Sequence, residues 1–567
     1  MSAYGTNLRA PRVDVHSFSM VPRADIPRST FNMQSQHKTT FSCSSLIPVY
    51  CQEVLPGDSF NVSMSAFCRI ATPLYPIMDN MELESFFFFV PNRLVWNHWV
   101  NFNGEQNNPS DSITYTVPQI VSPAGGFPQF SLYDYFGLPT VGQTGAGNTI
   151  SVSALPFRGY NLIYQEWFRD QNLQTAEATG TGGVLTAGQK WFWQSDDGPD
   201  LYTNYGINVA NKRHDYFTSA LPWTQKGGVA VTLPLGTSAP VKTQATNVVT
   251  GAQAGLQMLT TTGGSFPGTG NVLGIAASNT VNYQTTALGA FTGAGGVYPS
   301  NLYADLSAAT AATINSIRLA FQTQRLLERD ARGGTRYPEF IKNHFGVTLE
   351  DYRAMRPIYL GGGKTPVSIV PVPQTSGTAA SGTTTPLGTL SAAGTAQAKH
   401  GFHHASTEHG YIIGLVTVRN DKIYQQGIRR HWKRLTRYDF YLPVFQALGE
   451  QAILNSEIYS DGSANDALTF GYIPRWDEYR YTPSYTSGYF RSTTTTPLDS
   501  WHLAQKFTAL PALNSTFIQD DLSTTFQRVA AAGASSVNQQ VLADFFFNEK
   551  VARPMPMHSV PGMVDHF

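Results

Sequence analysis

Met81-Glu-Leu-Glu-Ser-Phe86-Phe-Phe-Phe89-Val-Pro-Asn-Arg-Leu-Val-Trp96 decides how this chain is read. Met81 and Leu83 alternate with Glu82 and Glu84, the pattern of a strand with one wet face. From Phe86 to Val90 both faces turn apolar, so the second half of the strand must be covered on two sides. The run is far too short to cross a bilayer, which takes about 20 apolar residues, so the cover is protein. With so few charges in the chain, part of that cover is expected to come from other subunits.

Composition extends the same point. Charged residues make up 13% of the 567 positions, against about 25% in ordinary soluble domains. Aromatics reach 12%, with 50 Gly and 34 Pro, which makes a chain poor in solvating surface and rich in turns. Lys plus Arg and Asp plus Glu are equal at 38 each, so any attraction to nucleic acid must be local. No apolar leader opens the chain and no segment is long enough to span a bilayer, so the expectation is synthesis in a cytoplasm without membrane insertion. Cys43, Cys51 and Cys68 are odd in number and form no CxxC pair, which argues against disulfides and zinc. They read as reduced, buried small residues, Cys68 sharing a face with Phe60, Val62, Met64, Ala66 and Ile70.

Residues 1–40 read as an extended basic arm, with Pro11, Pro22 and Pro27 and no hydrophobic period. Its charge is five minus two, or +3, from Arg9, Arg12, Arg23, Arg28 and Lys38 against Asp14 and Asp25. Strand signals then follow at Leu46–Val54, Ser59–Ile70, the phenylalanine run, Tyr411–Val418 and Arg437–Leu442. Widely spaced strands with no βα alternation predict a mainly β, antiparallel sandwich or jelly roll with large loop insertions. Helices are predicted over 156–174, where Tyr160, Ile163, Tyr164, Trp167 and Phe168 form a stripe, and over about 305–332. Residues 228–300 carry one charge, Lys242, and read as a projecting surface insertion that divides the shell domain into 41–227 and 301–567. Residues 365–398 carry no charged side chain, and 375–400 reads as a flexible loop.

Catalytic and cofactor signatures are mostly withdrawn on inspection. His400–His409 lacks the HxxEH spacing of a zinc helix and reads as a loop with partly exposed histidines. Gly361-Gly-Gly-Lys364-Thr365 has Ile358 where a phosphate loop needs its first glycine, and Pro366 follows. Asp196-Asp197 and Asp520-Asp521 read as solvated turns rather than acid/base pairs. The expectation is a protein that is not an enzyme and holds no cofactor or metal. Arg429-Arg430-His431-Trp432-Lys433-Arg434 interleaves cations with aromatics, which suits either a single strand of nucleic acid or a protein interface rich in arginine–carboxylate pairs.

Longer motifs carry a family resemblance. Glu53-Val-Leu-Pro-Gly-Asp58, Leu155-Pro-Phe-Arg158, Glu166-Trp-Phe-Arg-Asp-Gln-Asn-Leu173, Lys212-Arg-His-Asp-Tyr-Phe-Thr-Ser-Ala-Leu-Pro-Trp223, Leu326-Leu-Glu-Arg-Asp-Ala-Arg-Gly-Gly-Thr-Arg336 and Trp501-His-Leu-Ala-Gln505 lie in order along the chain. Together with the phenylalanine strand they resemble the major capsid proteins of microviruses, in the gokushovirus branch. The resemblance implies an eight-stranded viral jelly roll, about sixty copies of which form a T=1 shell around circular single-stranded DNA. It also implies assembly in the host cytoplasm, small DNA-binding and pilot-type virion proteins as partners, and a threefold protrusion at 228–300 that meets a bacterial receptor. The candidates that follow are Arg9, Arg12, Arg23, Arg28, Arg430 and Arg434 for DNA, and Phe86, Phe87, Phe88, Phe89 and Trp96 for core or interface. Phe266, Tyr283, Phe291 and Tyr298 are the candidates for receptor contact. The competing class is an exported β-rich adhesin or glycan-binding module, against which the lack of a leader counts.

Overall fold

A computed structural model describes residues 27–112, 114–176, 195–228, 231, 241–243, 258–260, 272–275, 281–284, 297–299, 302–304, 314–377 and 387–558. The chain divides into two compact units, Met1–Thr224 with Asp330–Phe567, and Gln225–Arg329.

Nine long strands build the first unit: β1 (Ser29–Phe41), β2 (Ile47–Val54), β3 (Ser59–Ile70), β4 (Met81–Pro91), β5 (Ile358–Pro366), β6 (Ser368–Pro373), β7 (Leu390–Ala405), β8 (Gly410–Asn420) and β9 (Val541–Arg553). They pair in two antiparallel sheets, in the orders β1-β9-β3-β7-β6 and β5-β4-β8-β2. The protein is mainly β, as expected. Period-2 alternation makes the first sheet one-sided: Phe60, Val62, Met64, Ala66, Cys68 and Ile70 point inward and meet Phe545, Phe547, Phe87 and Phe89 in one core. Phe88 and Val90 face the other way, into a second core with Trp96, Phe157, Tyr160 and Ile413.

The cover for that second face is helix α1 (Leu155–Ile163), continued by a π-turn over Tyr164–Phe168. Gly159 lets the helix lie close to the sheet, since a methyl there would sit 3.2 Å from Ile413 Cδ1. Phe86 packs edge-on against Phe168, with ring centroids 5.2 Å apart, and Phe88 packs tilted against Trp167 at 5.5 Å. The two-sided burial of the phenylalanine strand is therefore real, but its cover is this chain's own helix rather than a neighbouring subunit.

Other expectations are corrected. Glu84, read as part of a wet face, is fully buried and held by Arg213 at 2.8 Å, Lys364 at 3.2 Å and Arg419. Burial alone would raise its pKa, but Arg419 and Arg213 outweigh it and hold the carboxyl below its ordinary range. Ser29–Thr40, assigned to the arm, is an edge strand of the five-stranded sheet. Residues 390–400 of the supposed flexible loop, and His400, His403 and His404 after them, belong to β7. Arg437–Leu442 is not a strand: Asp439 accepts from the N–H groups of Leu435 (3.0 Å) and Thr436 (2.7 Å) and closes a 3₁₀ turn over Arg437–Asp439. Asp520 is buried and ion-paired with Lys422 at 2.7 Å, so it is no solvated turn residue. Cys43 and Cys68 are buried, whereas Cys51 is exposed.

In the second unit the described strands pair as Val241–Thr243 with Leu302–Ala304, Met258–Thr260 with Val297–Pro299, and Val272–Ile275 with Val281–Gln284. Each pair nests inside the one before it, so this stretch runs out and returns beside itself. Helix α2 (Ile314–Arg332) follows, and α3 (Tyr337–Phe345) lies in the first unit.

Candidate functional site

Within residues 429–437 the cations are Arg429, Arg430, Lys433, Arg434 and Arg437, with no acidic residue among them. The fold does not leave them equally available. Arg430 donates to Glu457 at 3.1 Å and to the Ala452 carbonyl at 2.7 Å. Arg434 donates to Glu478 at 3.2 Å and stacks on Tyr479, 4.4 Å from the ring centroid. Arg429 stacks on Tyr485 at 4.3 Å. These groups and Tyr481 line a cavity of about 240 Å³. Burial raises the Glu457 pKa even though Arg430 opposes it, so the Arg430 charge is needed locally. Two DNA candidates, Arg430 and Arg434, thus have their charges matched by carboxylates of the same chain.

Beside this cavity the chain exposes an apolar surface that no hydrophobic pattern reveals. Leu435 is 91% exposed, Val444 87% and Trp432 75%, and Tyr438, Phe440, Tyr481, Tyr485 and Tyr489 are exposed as well. Large apolar side chains clustered this way mark a surface made to meet another chain.

The remaining candidates fall as follows. Phe87, Phe88, Phe89 and Trp96 are buried and Phe86 is half-buried, all within the subunit. Arg28 donates to the Gly57 carbonyl and to Ser59 Oγ. Arg9, Arg12, Arg23, Phe266 and Phe291 lie outside the described residues, while Tyr283 and Tyr298 stand on the short nested strands. Among the described residues no three His, Cys, Asp or Glu side chains are placed to hold a metal ion, and no helix is long and apolar enough to cross a membrane.

The histidines of β7 tie the two sheets together. His400 Nδ1 lies 2.7 Å from Ser85 Oγ on β4, and its Nε2 lies 3.0 Å from Thr365 Oγ1 on β5. His404 packs its ring 4.7 Å from Phe89, and its buried Nε2 has no hydrogen-bond partner among the described residues. Burial lowers the pKa of both, with His403 adding to the effect at His404. A histidine with a depressed folded-state pKa binds fewer protons folded than unfolded. Its contribution is complete above the unfolded value near 6.5 and is lost as pH falls from there through the folded value. Urea unfolding should therefore show a lower midpoint at pH 5.5 than at pH 7.5, and His404→Phe should reduce the difference. An unchanged pH difference in that variant would assign the acid sensitivity elsewhere.

A two-sheet sandwich carrying this much exposed apolar surface is the build of a structural subunit that packs against other protein chains. Comparison with known sequences makes that class specific. The phage family described as "Capsid protein (F protein)" matches residues 19–563. Capsid protein VP1 of Bdellovibrio phage phiMH2K is 45% identical over 98% of this chain and 99% of its own length. Capsid protein VP1 of Chlamydia phage 1 is 40% identical over 98% and 99%, and that of Spiroplasma virus 4 is 36% identical over 97% and 98%. The chain belongs to this family, as a major capsid protein of the microviruses on their gokushovirus branch. It is a structural component of a virion, present in multiple copies.

Proposed function

We propose that about sixty copies of this chain form a T=1 icosahedral shell around circular single-stranded DNA, assembled in the host cytoplasm, and that the segment 228–300 attaches the particle to its bacterial host. The observation that carries the shell reading is the strand order. Counting the eight strands β1, β2, β3, β4, β5, β7, β8 and β9 in sequence, the sheets run 1-8-3-6 and 2-7-4-5. That is the order produced by folding two Greek keys into a double-sheet jelly roll, a fold used by viral capsids. β6 extends one edge. Local cations in the arm, Arg9, Arg12, Arg23 and Arg28, supply phosphate neutralisation that a chain of zero net charge cannot supply in bulk. Small DNA-binding and pilot-type proteins complete the virion.

The attachment reading rests on composition and on the nested strand pairs. With Lys242 as its single charge, 228–300 cannot steer a charged receptor over distance and binds by short-range contacts from hydroxyls, amides and aromatics. Phe266, Tyr283, Phe291 and Tyr298 are the aromatic anchors in this reading. Because Thr243 pairs with Leu302, residues 244–301 can be replaced by an Asn-Gly turn, closing the outermost pair as a two-residue hairpin. The expected result is particles in normal yield that no longer adsorb to host cells. Failure to form any particle would show instead that the segment binds neighbouring subunits together.

A further inference from the structure

Among the described residues the outward face of the five-stranded sheet is open, and it carries aromatic rings where a solvated sheet would carry polar groups. Phe67 on β3 is 49% exposed and Phe546 on β9 is 39% exposed, while their strand neighbours Ala66, Cys68, Phe545 and Phe547 are buried. In register Phe67 stands opposite Asp544, and Phe546 opposite Ser65. The two rings are thus diagonal neighbours, about 7–8 Å apart along the sheet. Around them on the same face stand Lys38, Arg69, Lys399 and Lys550, with Asp544 as the one acid on these four strands' outward positions, so the face carries four minus one, or +3. Asp544 is occupied by Gln36, whose Nε2 donates to both carboxylate oxygens at 2.8 and 2.7 Å. None of the four cations has a carboxylate within ion-pair range among the described residues.

At one end of this face Lys38, Phe67, Arg69, Leu542 and Phe130 line a groove of about 610 Å³. Phe130 adopts a left-handed backbone, φ 54°, with its N–H donated to Asp134 Oδ2 at 2.8 Å, and its ring is 45% exposed. A bulky residue in that conformation is uncommon and marks a position the fold maintains against strain.

We infer that this face is a stacking platform for single-stranded nucleic acid, with bases on Phe67, Phe546 and Phe130 and phosphates near Lys38, Arg69, Lys399 and Lys550. Exposed rings among unpaired cations on an open sheet suit a single strand, because every base has a π-face and the backbone supplies the charge. A second protein chain would leave those cations uncompensated unless it brought matching acids. The inference rests on the reading that the shell encloses single-stranded DNA, and it assigns the contact to a surface other than the arm or residues 429–437.

Intact particles irradiated with ultraviolet light, digested and mapped by mass spectrometry provide the test. Nucleotide adducts are expected on the peptides that hold Phe67, Phe130 and Phe546. In particles of the Phe67→Ser/Phe546→Ser variant those adducts should disappear. Each lost stacking partner should weaken DNA retention roughly tenfold, read as earlier nuclease access on heating. Lys38→Gln/Lys399→Gln/Lys550→Gln, which alters only exposed side chains, should lower the salt concentration at which DNA is released. Protected DNA with adducts confined to other peptides, unchanged in both variants, would overturn the inference and leave the enclosed genome standing. Particles with no protected DNA would instead overturn the reading beneath it. If both variants fail to form particles, or if protein cross-links place residues 1–26 or a second copy over the face, the platform assignment is wrong.

Discussion

Phe87→Asp eliminates particle formation. Phe87 is fully buried between the sheets, with its ring 4.8 Å from Phe402 and edge-on to Tyr50 at 6.4 Å. The space is filled from the opposite strand too. Gly414 lies across from Phe87 in the ladder, and a methyl there would come within 2.8 Å of the ring. Truncating a buried phenylalanine costs about 3–5 kcal/mol, and an unpaired carboxylate in the same place adds several more. Together they approach the roughly 5–15 kcal/mol that holds an ordinary domain folded. Phe87→Leu, which keeps most of the volume and adds no charge, should still give particles with a lower melting temperature. Normal particles from Phe87→Asp would mean that the strand is not enclosed as described.

Arg158→Met should cost about 3–5 kcal/mol, because it leaves a buried acid without its cation. The Arg158 side chain is completely buried. Its Nε and Nη2 donate to the two oxygens of Asp200 at 2.8 and 2.6 Å, and Nη1 donates to the carbonyls of Val95 (3.0 Å) and Asp196 (2.7 Å). Burial opposes the charge on Arg158, but the hydrogen bonds and charge of Asp200 outweigh it and raise the guanidinium pKa. One side chain thus ties α1 to the helical turn Asn92–Val95 that follows the phenylalanine strand and to the turn before Asp200. The double variant Arg158→Met/Asp200→Leu removes both charges and should recover most of the loss, since a buried pair replaced by apolar groups is often close to neutral. Additive losses in that cycle would show that the two residues do not act as a pair.

What was legible in the sequence follows from what each strand buries. Ser59–Ile70 and the phenylalanine run alternate large apolar residues, so their existence and their inward faces could be read directly. The first half of β7 could not, because Ala392, Ala396 and Ala398 take its buried positions and an Ala/Gly/Thr run looks like a linker. Small residues are required there: a methyl on Gly394 would meet Ile70 Cδ1 at 2.4 Å. β1 was hidden by its exposure, since an edge strand wet on one face has little apolar pattern. The 437–442 segment failed in the opposite sense, with aromatic alternation that the Asp439 turn overrides and leaves on the surface. Buried charges are the least legible class. Glu84 and Arg158 look like surface residues until the cations and carboxylates that neutralise them are brought in from far along the chain. The Leu155–Arg158 motif and the histidine, arginine and aspartate of Lys212–Trp223 mark these positions only by resemblance.

The most direct test of the shell account is cryo-electron microscopy of particles purified from cells producing this protein, with nuclease-protected nucleic acid quantified from the same preparation. The account predicts closed icosahedral particles of sixty subunits or about that number, each subunit showing the two sheets in the order given above, around DNA sensitive to single-strand nuclease once released. A stable monomer, or an open fibre with no enclosed nucleic acid, would contradict it.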